Sequence, residues 1–276
     1  MLKTKLFRWS VVASLAGFIF GFDTVVISGA NIPIKNLWNT TPLFHGFFIM
    51  SMALWGTLFG SIFGGIPTDR YGRKKVLIVL GILFAISAIG SALANGPYVF
   101  SLFRFIGGIG IGVSSVVAPT YISEISTPKT RGKLGALYQF NIVFGILAAF
   151  LSNYFLQGFG GENDWRWMLG ILLVPSVIFT LMVFGIPESP RWIYQYKKDK
   201  EKAEAILQSI SKYSVDDSGN AIQCPNCGSA KVDYLTTIKD FKSLLSFLFS
   251  LLFVLLPFYT KHKYKCEACD FEFDKP

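Results

Sequence analysis

Charge is scarce in this sequence: 16% of its 276 residues are Asp, Glu, Lys or Arg, where soluble domains carry about 25%. With 52% hydrophobic residues and a mean hydropathy of +0.47, the chain is too apolar for intrinsic disorder and too sparsely charged for an ordinary soluble enzyme. Whole stretches have no charge at all. Residues 43–68, 76–103, 105–123, 134–161, 167–187 and 243–260 contain no Asp, Glu, Lys or Arg, and 9–34 contains only Asp23. No small-residue cleavage site follows the first apolar run, which is also too long for a cleavable signal peptide. Cysteine is absent from the first 223 residues.

What is present are apolar runs of membrane-crossing length. About 18 or more residues with few charges suffice for a helix to span a bilayer. Six spans are expected at about 9–30, 44–66, 76–95, 98–121, 134–156 and 166–186. The formal charge of +9 sits in clusters between them: Lys3, Lys5 and Arg8; Arg70, Arg73, Lys74 and Lys75; Lys129, Arg131 and Lys133; Arg191, Lys197, Lys198, Lys200 and Lys202. The alternate loops carry Lys35, then nothing across 94–98, then Glu162 and Asp164, with Arg166 the one departure. This positive-inside alternation places the N-terminus and the segment after 187 in the cytoplasm. It accounts for the basic excess without a nucleic-acid partner. Gly56, Gly60, Gly64 and Gly65 in span two, and Gly107, Gly108, Gly110 and Gly112 in span four, suit close helix packing in lipid. No internal sequence repeat is evident, so an inverted pair of three-helix units rests on fold analogy.

Two charges interrupt the apolar spans. Placing one at the bilayer centre costs roughly 2.5–3.5 kcal/mol on insertion scales, which makes Asp23 and Arg104 functional candidates. Asp23 lies 14 residues after Trp9, about 21 Å of helix, and Arg104 lies 17 residues before Tyr121, about 25 Å. Running in opposite directions, the two meet at similar depth. Two readings stand: a static ion pair, with Arg104 otherwise snorkelling to the surface, or a pair switched by protonation of Asp23. Gln139 and Asn141, near the start of span five, either bond a neighbouring helix or present amides that donate and accept towards a sugar hydroxyl.

After Pro187 the composition changes. Residues 197–213 read as a cytoplasmic amphipathic helix with Ala203, Ile206, Leu207 and Ile210 on one stripe, and 214–222 as a linker. Residues 1–213 carry a net charge of +10 and 214–276 of −1. The expected organisation is therefore a six-span unit at 1–196, the helix at 197–213, the linker, and a separate tail at 223–276. The tail holds all the cysteines, as two CxxC knuckles: Cys224–Cys227 and Cys266–Cys269. It resembles a zinc ribbon, and four thiolates suit a closed tetrahedral structural zinc site. Disulfides are the weaker reading for a cytoplasmic tail, and no thioredoxin-like βαβ pattern favours redox catalysis. The 38 residues between Cys227 and Cys266 exceed the roughly 15–20 usual for this pattern, and include the apolar segment 241–259. The preferred reading is an excursion that enters and leaves on one side, with all four cysteines on one ion. The alternative is a seventh span that separates the knuckles.

Several strings then coincide with one family. Residues 65–75 read GIPTDRYGRKK, 104–112 RFIGGIGIG, 119–132 PTYISEISTPKTRG, 165–168 WRWM, 187–193 PESPRWI and 17–29 GFIFGFDTVVISG. In this order they resemble the N-terminal half of a sugar porter of the major facilitator superfamily, with likeness to its bacterial proton-symporting members and their glucose-facilitator relatives, over about 1–212. The resemblance implies an all-α membrane fold, the six-helix half of a major facilitator, with no enzymatic activity and no cofactor for transport. It implies a sugar and a proton as the transported species, and an integral membrane protein of the bacterial inner membrane. It assigns proton coupling to Asp23 and Arg104, and sugar-cavity positions to Phe20 and Gln139. A gating network falls on Asp69, Arg70, Gly72, Arg73, Glu124, Arg131, Glu188 and Arg191, with Asp69 expected at a helix N-terminus and the arginines paired with Glu124 and Glu188. Members have twelve spans, so this chain is expected to need a second half-transporter or a homodimer partner. The alternatives are a membrane-anchored zinc-ribbon interaction module and an inactive truncated transporter.

Overall fold

The computed structural model describes residues 2–126, 130–210, 224–227, 232–236, 262–266, 269 and 272–274. The expected linker at 214–222 and the apolar segment 241–259 lie outside the described residues. The chain divides into two compact units, Val12–Asp199 and Met1–Val11 with Lys200–Pro276.

Among the described residues, six helical segments are long and apolar enough to cross a membrane. Helix α1 (Leu2–Trp38) runs for 37 residues, about 55 Å, well past the expected 9–30. It ends where Asn39 turns left-handed at φ 42°, a conformation asparagine tolerates at a helix C-terminus. The second span opens with a single turn, α2 (Pro42–Phe44), capped by the Thr41 hydroxyl. It continues through a widened π-helical turn at His45–Met50 into α3 (Met52–Phe63). The Ser101 hydroxyl donates to the carbonyl of Phe48 inside that turn, at 2.6 Å. The His45 ring bridges Asn31 Oδ1 at 2.7 Å and Thr40 Oγ1 at 2.9 Å, tying the top of α1 to the next span.

A short helix, α4 (Gly65–Tyr71), stops at Gly72, whose φ of 96° starts α5 (Arg73–Leu93). Helix α6 (Pro97–Ile125) and helix α7 (Arg131–Leu156) follow. The last span was expected as one helix over 166–186. It is one membrane-length segment, Gly161–Phe184, in which a turn at Ile171 and Leu172 separates α8 (Asp164–Gly170) from α9 (Leu173–Phe184). Pro175 explains the break, because its ring crowds the carbonyl four residues back, at Ile171, and it has no N–H to offer there. The turn α10 (Pro190–Trp192) and helix α11 (Lys200–Ile210) complete the helical part.

Side-chain neighbours fix the relative directions within the first unit. Gly17 and Gly21 of α1 lie against Tyr138 and Ile142 of α7, so these two helices run parallel. Ala53 and Thr57 of α3 lie against Gly108 and Gly112 of α6, another parallel pair. Helix α5 runs antiparallel to α6, with Phe84 on Gly110 and Phe103 on Gly90, and antiparallel to α8 and α9, with Gly81 on Thr180 and Ala92 on Gly170. Such pairings follow when successive helices alternate direction through one slab. Large apolar side chains stay exposed outside the packed faces, among them Ile62, Leu147, Phe155 and Leu181. Water would penalise that surface, whereas lipid tails are as apolar as the side chains.

In the tail, β1 (Val232–Thr236), β2 (His262–Cys266) and β3 (Glu272–Asp274) form an antiparallel sheet in that order. Val232 faces Cys266, Thr236 faces His262, and Tyr264 faces Phe273.

The α3–α6 contact generates a prediction. A side chain at Gly108 would drive into the Ala53 carbonyl, whereas nothing lies within 4 Å of a Cβ at Gly65. Gly108→Leu should therefore destabilise the bundle by about 1–3 kcal/mol, as overpacking does, and Gly65→Ala should not. Thermal unfolding in detergent measures both, and equal midpoints would contradict the close approach.

Candidate coupling site and charge network

Asp23 of α1 and Arg104 of α6 meet inside the bundle, with side-chain exposures of 1% and 3%. Arg104 Nη1 donates to Asp23 Oδ1 in a charge-assisted bond, and Nη2 donates to the main-chain carbonyl of Asp23 at 3.0 Å. Asp23 Oδ2 and Arg104 Nε have no hydrogen-bond partner among the described residues. Gly107 gives Ser87 room beside the pair: a Cβ there would collide with the Ser87 hydroxyl, while standing at ordinary contact distance, 3.8 Å, from Asp23 Oδ2. Arg104 also lines a cavity of about 290 Å³, together with Thr24, Met50, Ser51, Thr57 and Ile111. A carboxylate with one oxygen bound and the other free can take a proton without first breaking its ion pair.

Phe20 is half-buried on α1, one turn before Asp23, and its carbonyl accepts from the Thr24 hydroxyl at 2.8 Å. Gln139 is exposed on α7. The Gly17–Tyr138 and Gly21–Ile142 contacts put Phe20 and Gln139 at a similar level of the helix pair. The two amides noted in this span separate cleanly. Asn141 is fully buried and donates to Ser14 Oγ at 2.7 Å, so it joins helices, while Gln139 is exposed.

At one end of the bundle a compact charge network forms. Buried Arg73 donates through Nε and Nη2 to both Glu124 oxygens at 2.9 Å each, the forked geometry suited to a guanidinium and a carboxylate. It also meets Asp69 at 3.1 Å and the Thr68 carbonyl at 3.2 Å. Glu188 departs from the expected pairing with arginine. Its Oε1 accepts the main-chain N–H of Arg73 at 2.9 Å, of Lys74 at 3.1 Å and of Ser189 at 2.9 Å. It thus satisfies the amides left open at the start of α5. Asp69, expected at a helix N-terminus, lies late in α4 and is largely exposed, so the anion at the α5 dipole is Glu188. Gly72 is required between them, because its φ is positive and a Cβ would strike the Glu188 carboxylate. Arg70, Arg131 and Arg191 are exposed and pair with neither glutamate among the described residues. Arg70 lies over the Tyr71 ring at 5.6 Å.

Three further residues belong to this network and carried no advance signal beyond their neighbourhood in the motifs. Trp192 Nε1 donates to the Asp69 carbonyl at 2.7 Å, the Tyr121 hydroxyl to the Pro187 carbonyl at 2.9 Å, and Lys74 Nζ to the Phe184 carbonyl at 2.8 Å. At the other end of the bundle, Arg166 departs from the charge alternation for a structural reason. It binds the Ala92 carbonyl at 2.8 Å and Asn95 Oδ1 at 3.3 Å, and stacks over buried Trp165 at 4.5 Å. A cation at the carbonyl end of α5 is favoured by the helix dipole.

In the tail, Cys224, Cys227, Cys266 and Cys269 bring their sulfurs within 4.8 Å of one another. Thr236 and His262, which flank the connection between β1 and β2, are strand partners.

Comparison with known proteins agrees with this geometry. A family model described as "Sugar (and other) transporter" matches residues 9–256. The arabinose-proton symporter of Bacillus subtilis is 38% identical over 229 residues, covering 80% of this chain and 49% of that protein. The glucose transport protein of Synechocystis is 42% identical over 211 residues, covering 73% and 45%. The chain thus spans about half the length of the relatives it matches. Among solved structures, the partially occluded inward-open xylose transporter XylE from Escherichia coli aligns with a TM-score of 0.70 at 33% identity, over 75% of this chain and 55% of that one. The proton:xylose symporter bound to 6-bromo-6-deoxy-D-glucose aligns with a TM-score of 0.71 at 32% identity, over 76% and 50%.

The buried pair yields a sharp expectation. Arg104→Leu leaves an unpaired carboxylate in the bundle, a change that costs about 3–5 kcal/mol in buried pairs. Removing both charges together, in Asp23→Leu with Arg104→Leu, should recover much of that loss. Denaturant unfolding of the three proteins in detergent provides the comparison. A single variant no worse than the double would show that the two charges are not mutually dependent.

Proposed function

The chain belongs to the sugar transporter family of the major facilitator superfamily and is an integral membrane protein with that fold's N-terminal six-helix half; from this premise we propose that it moves a sugar across the bilayer, coupled to a proton. The observation that carries the reading is the buried Asp23–Arg104 pair, half-satisfied on both sides and beside a cavity. With Asp23 ionised, the two charges cancel and the present packing is favoured. A proton on Asp23 Oδ2 removes one charge and leaves Arg104 cationic in an apolar bundle. Burying an uncompensated charge is costly, so the arrangement that hydrates Arg104 or offers it another partner gains population. A proton thereby biases one conformation over the other, which is what coupling requires.

Phe20 and Gln139 are proposed to face the sugar. The ring offers an apolar face to sugar C–H groups, and the amide donates to and accepts from hydroxyls. Alternating access needs two bundles rocking about a central site; the six spans supply one of them, and a second bundle of the same kind is proposed to face it. Asp69, Arg70, Gly72, Arg73, Glu124, Arg131, Glu188 and Arg191 are assigned to the latch between bundles. Arg73, Glu124 and Glu188 hold the helix ends together, and exposed Arg70, Arg131 and Arg191 are available to acids of the opposing bundle. The positive-inside pattern puts this end and the N-terminus in the cytoplasm, and the bacterial inner membrane is the proposed location. The four converging cysteines favour a second role for the tail, as a metal-bound interaction module that takes no part in transport.

Proteoliposome uptake tests the reading. Radiolabelled arabinose, xylose or glucose should accumulate when an inward proton gradient is imposed, and Asp23→Asn should reduce accumulation at least tenfold while leaving the protein folded. Accumulation by Asp23→Asn equal to that of the unaltered chain would sink the coupling role, and absence of flux for all three sugars from well-folded protein would sink transport.

A further inference from the structure

We infer that Cys224, Cys227, Cys266 and Cys269 bind a single zinc ion as a closed tetrathiolate, and that this ion is the core on which the sheet of the tail folds. The inference deepens the reading of the cysteines as a metal site and is independent of transport. Its first support is distance. Cys224 Sγ lies 3.6 Å from Cys269 Sγ, and Cys227 Sγ lies 3.5 Å from Cys266 Sγ. In a tetrahedron with Zn–S bonds of about 2.3 Å, neighbouring sulfurs stand about 3.8 Å apart. A disulfide would need about 2.05 Å, and none of the four cysteines is disulfide-bonded. The close pairs also run between knuckles rather than within them, so each knuckle contributes two corners of one polyhedron.

A second support is the surroundings of the sulfurs. The Asn226 side-chain amide donates to Cys269 Sγ at 3.7 Å, a contact that orients the sulfur as a supporting hydrogen bond orients a metal ligand. Cys224 and Cys266 are buried, at 2% and 0% exposure, while Cys227 and Cys269 are exposed. Two ligands therefore form the interior of the tail and two close the site from outside. Four protein ligands leave no open position, which makes the site structural rather than catalytic.

The third support is size. The three strands have only five, five and three residues, and sheets this small need a staple to fold. The two knuckles are separated by 38 residues, so without a shared ligand there is a long loop to close before β1 and β2 can pair. Zinc joining the knuckles brings Val232 opposite Cys266 and supplies the missing core. Binding is balanced by proton release: one Zn²⁺ and four thiols give the tetrathiolate complex and four protons to solvent, with no change in oxidation state.

The full-length chain in detergent carries the test. Zinc measured by mass spectrometry should approach one ion per chain and fall at least tenfold in Cys224→Ser and in Cys266→Ser. Cobalt in place of zinc should give thiolate charge-transfer absorption with the intense visible bands of a tetrahedral ion. Hydrogen exchange should then show the amides of 232–236 and 262–266 protected with metal and at least tenfold faster after chelation, with α5 and α6 unchanged. No bound zinc or cobalt after reconstitution, or unchanged stoichiometry in both variants, overturns the metal site itself. Bound metal with equal strand protection before and after chelation overturns the folding role alone.

Discussion

Helices in a bilayer have no hydrophobic reason to associate, because lipid tails are as apolar as the side chains they would release. What remains is dispersion and polar contact, and both require backbones to come close. In this bundle the requirement falls on α6. Its Gly108 and Gly112 lie on the backbone of α3, its Gly110 lies under Phe84 of α5, and its Gly107 sits beside Ser87 and the Asp23 carboxylate. A helix that touches three neighbours so closely has little freedom in rotation or depth. Arg104, one turn before Gly107 and Gly108, is therefore delivered to Asp23 by packing that does not itself involve charge. The glycines and the ion pair are parts of one arrangement: the first sets the distance that makes the second satisfiable.

The charge network at the basic end solves a different problem. The chain must reverse between α4 and α5 at Gly72, and a reversal leaves the first amides of α5 open. Glu188 closes them from beyond the end of α9, and Trp192 reaches the Asp69 carbonyl from the next turn. The third and sixth spans are thus clasped at this end through main-chain atoms, while Arg73 and Glu124 bind the third span to the fourth. Clasps of this kind tolerate movement of the bundle as a body, because they tie its helices to one another. The arginines left outside the clasp are the ones exposed.

The tail obeys neither rule. Among its described residues are three short strands, and four cysteine sulfurs that lie within 4.8 Å of one another.

The six apolar segments, their alternation of basic and bare loops, and the two charges that interrupt them were legible in the sequence, because helix length, charge scarcity and depth along a helix are local quantities. Local reading also located the CxxC knuckles and the glycine-rich stretches. It misplaced the anion at the start of α5, because the acid that caps it lies 115 residues away from Arg73, and only folding brings it there. It left Gln139 and Asn141 equivalent, two residues apart on one helix, since only the position of α1 against α7 decides that Asn141 is buried and Gln139 exposed. It could not bring the two knuckles together across 38 residues, which the pairing of Thr236 with His262 and the convergence of the four sulfurs do. The amino-acid sequence by itself determined what must sit in lipid and which groups are costly there. Tertiary structure alone decided which distant partner relieves each cost, because a hydrogen bond or an ion pair depends on position in space rather than on separation along the chain.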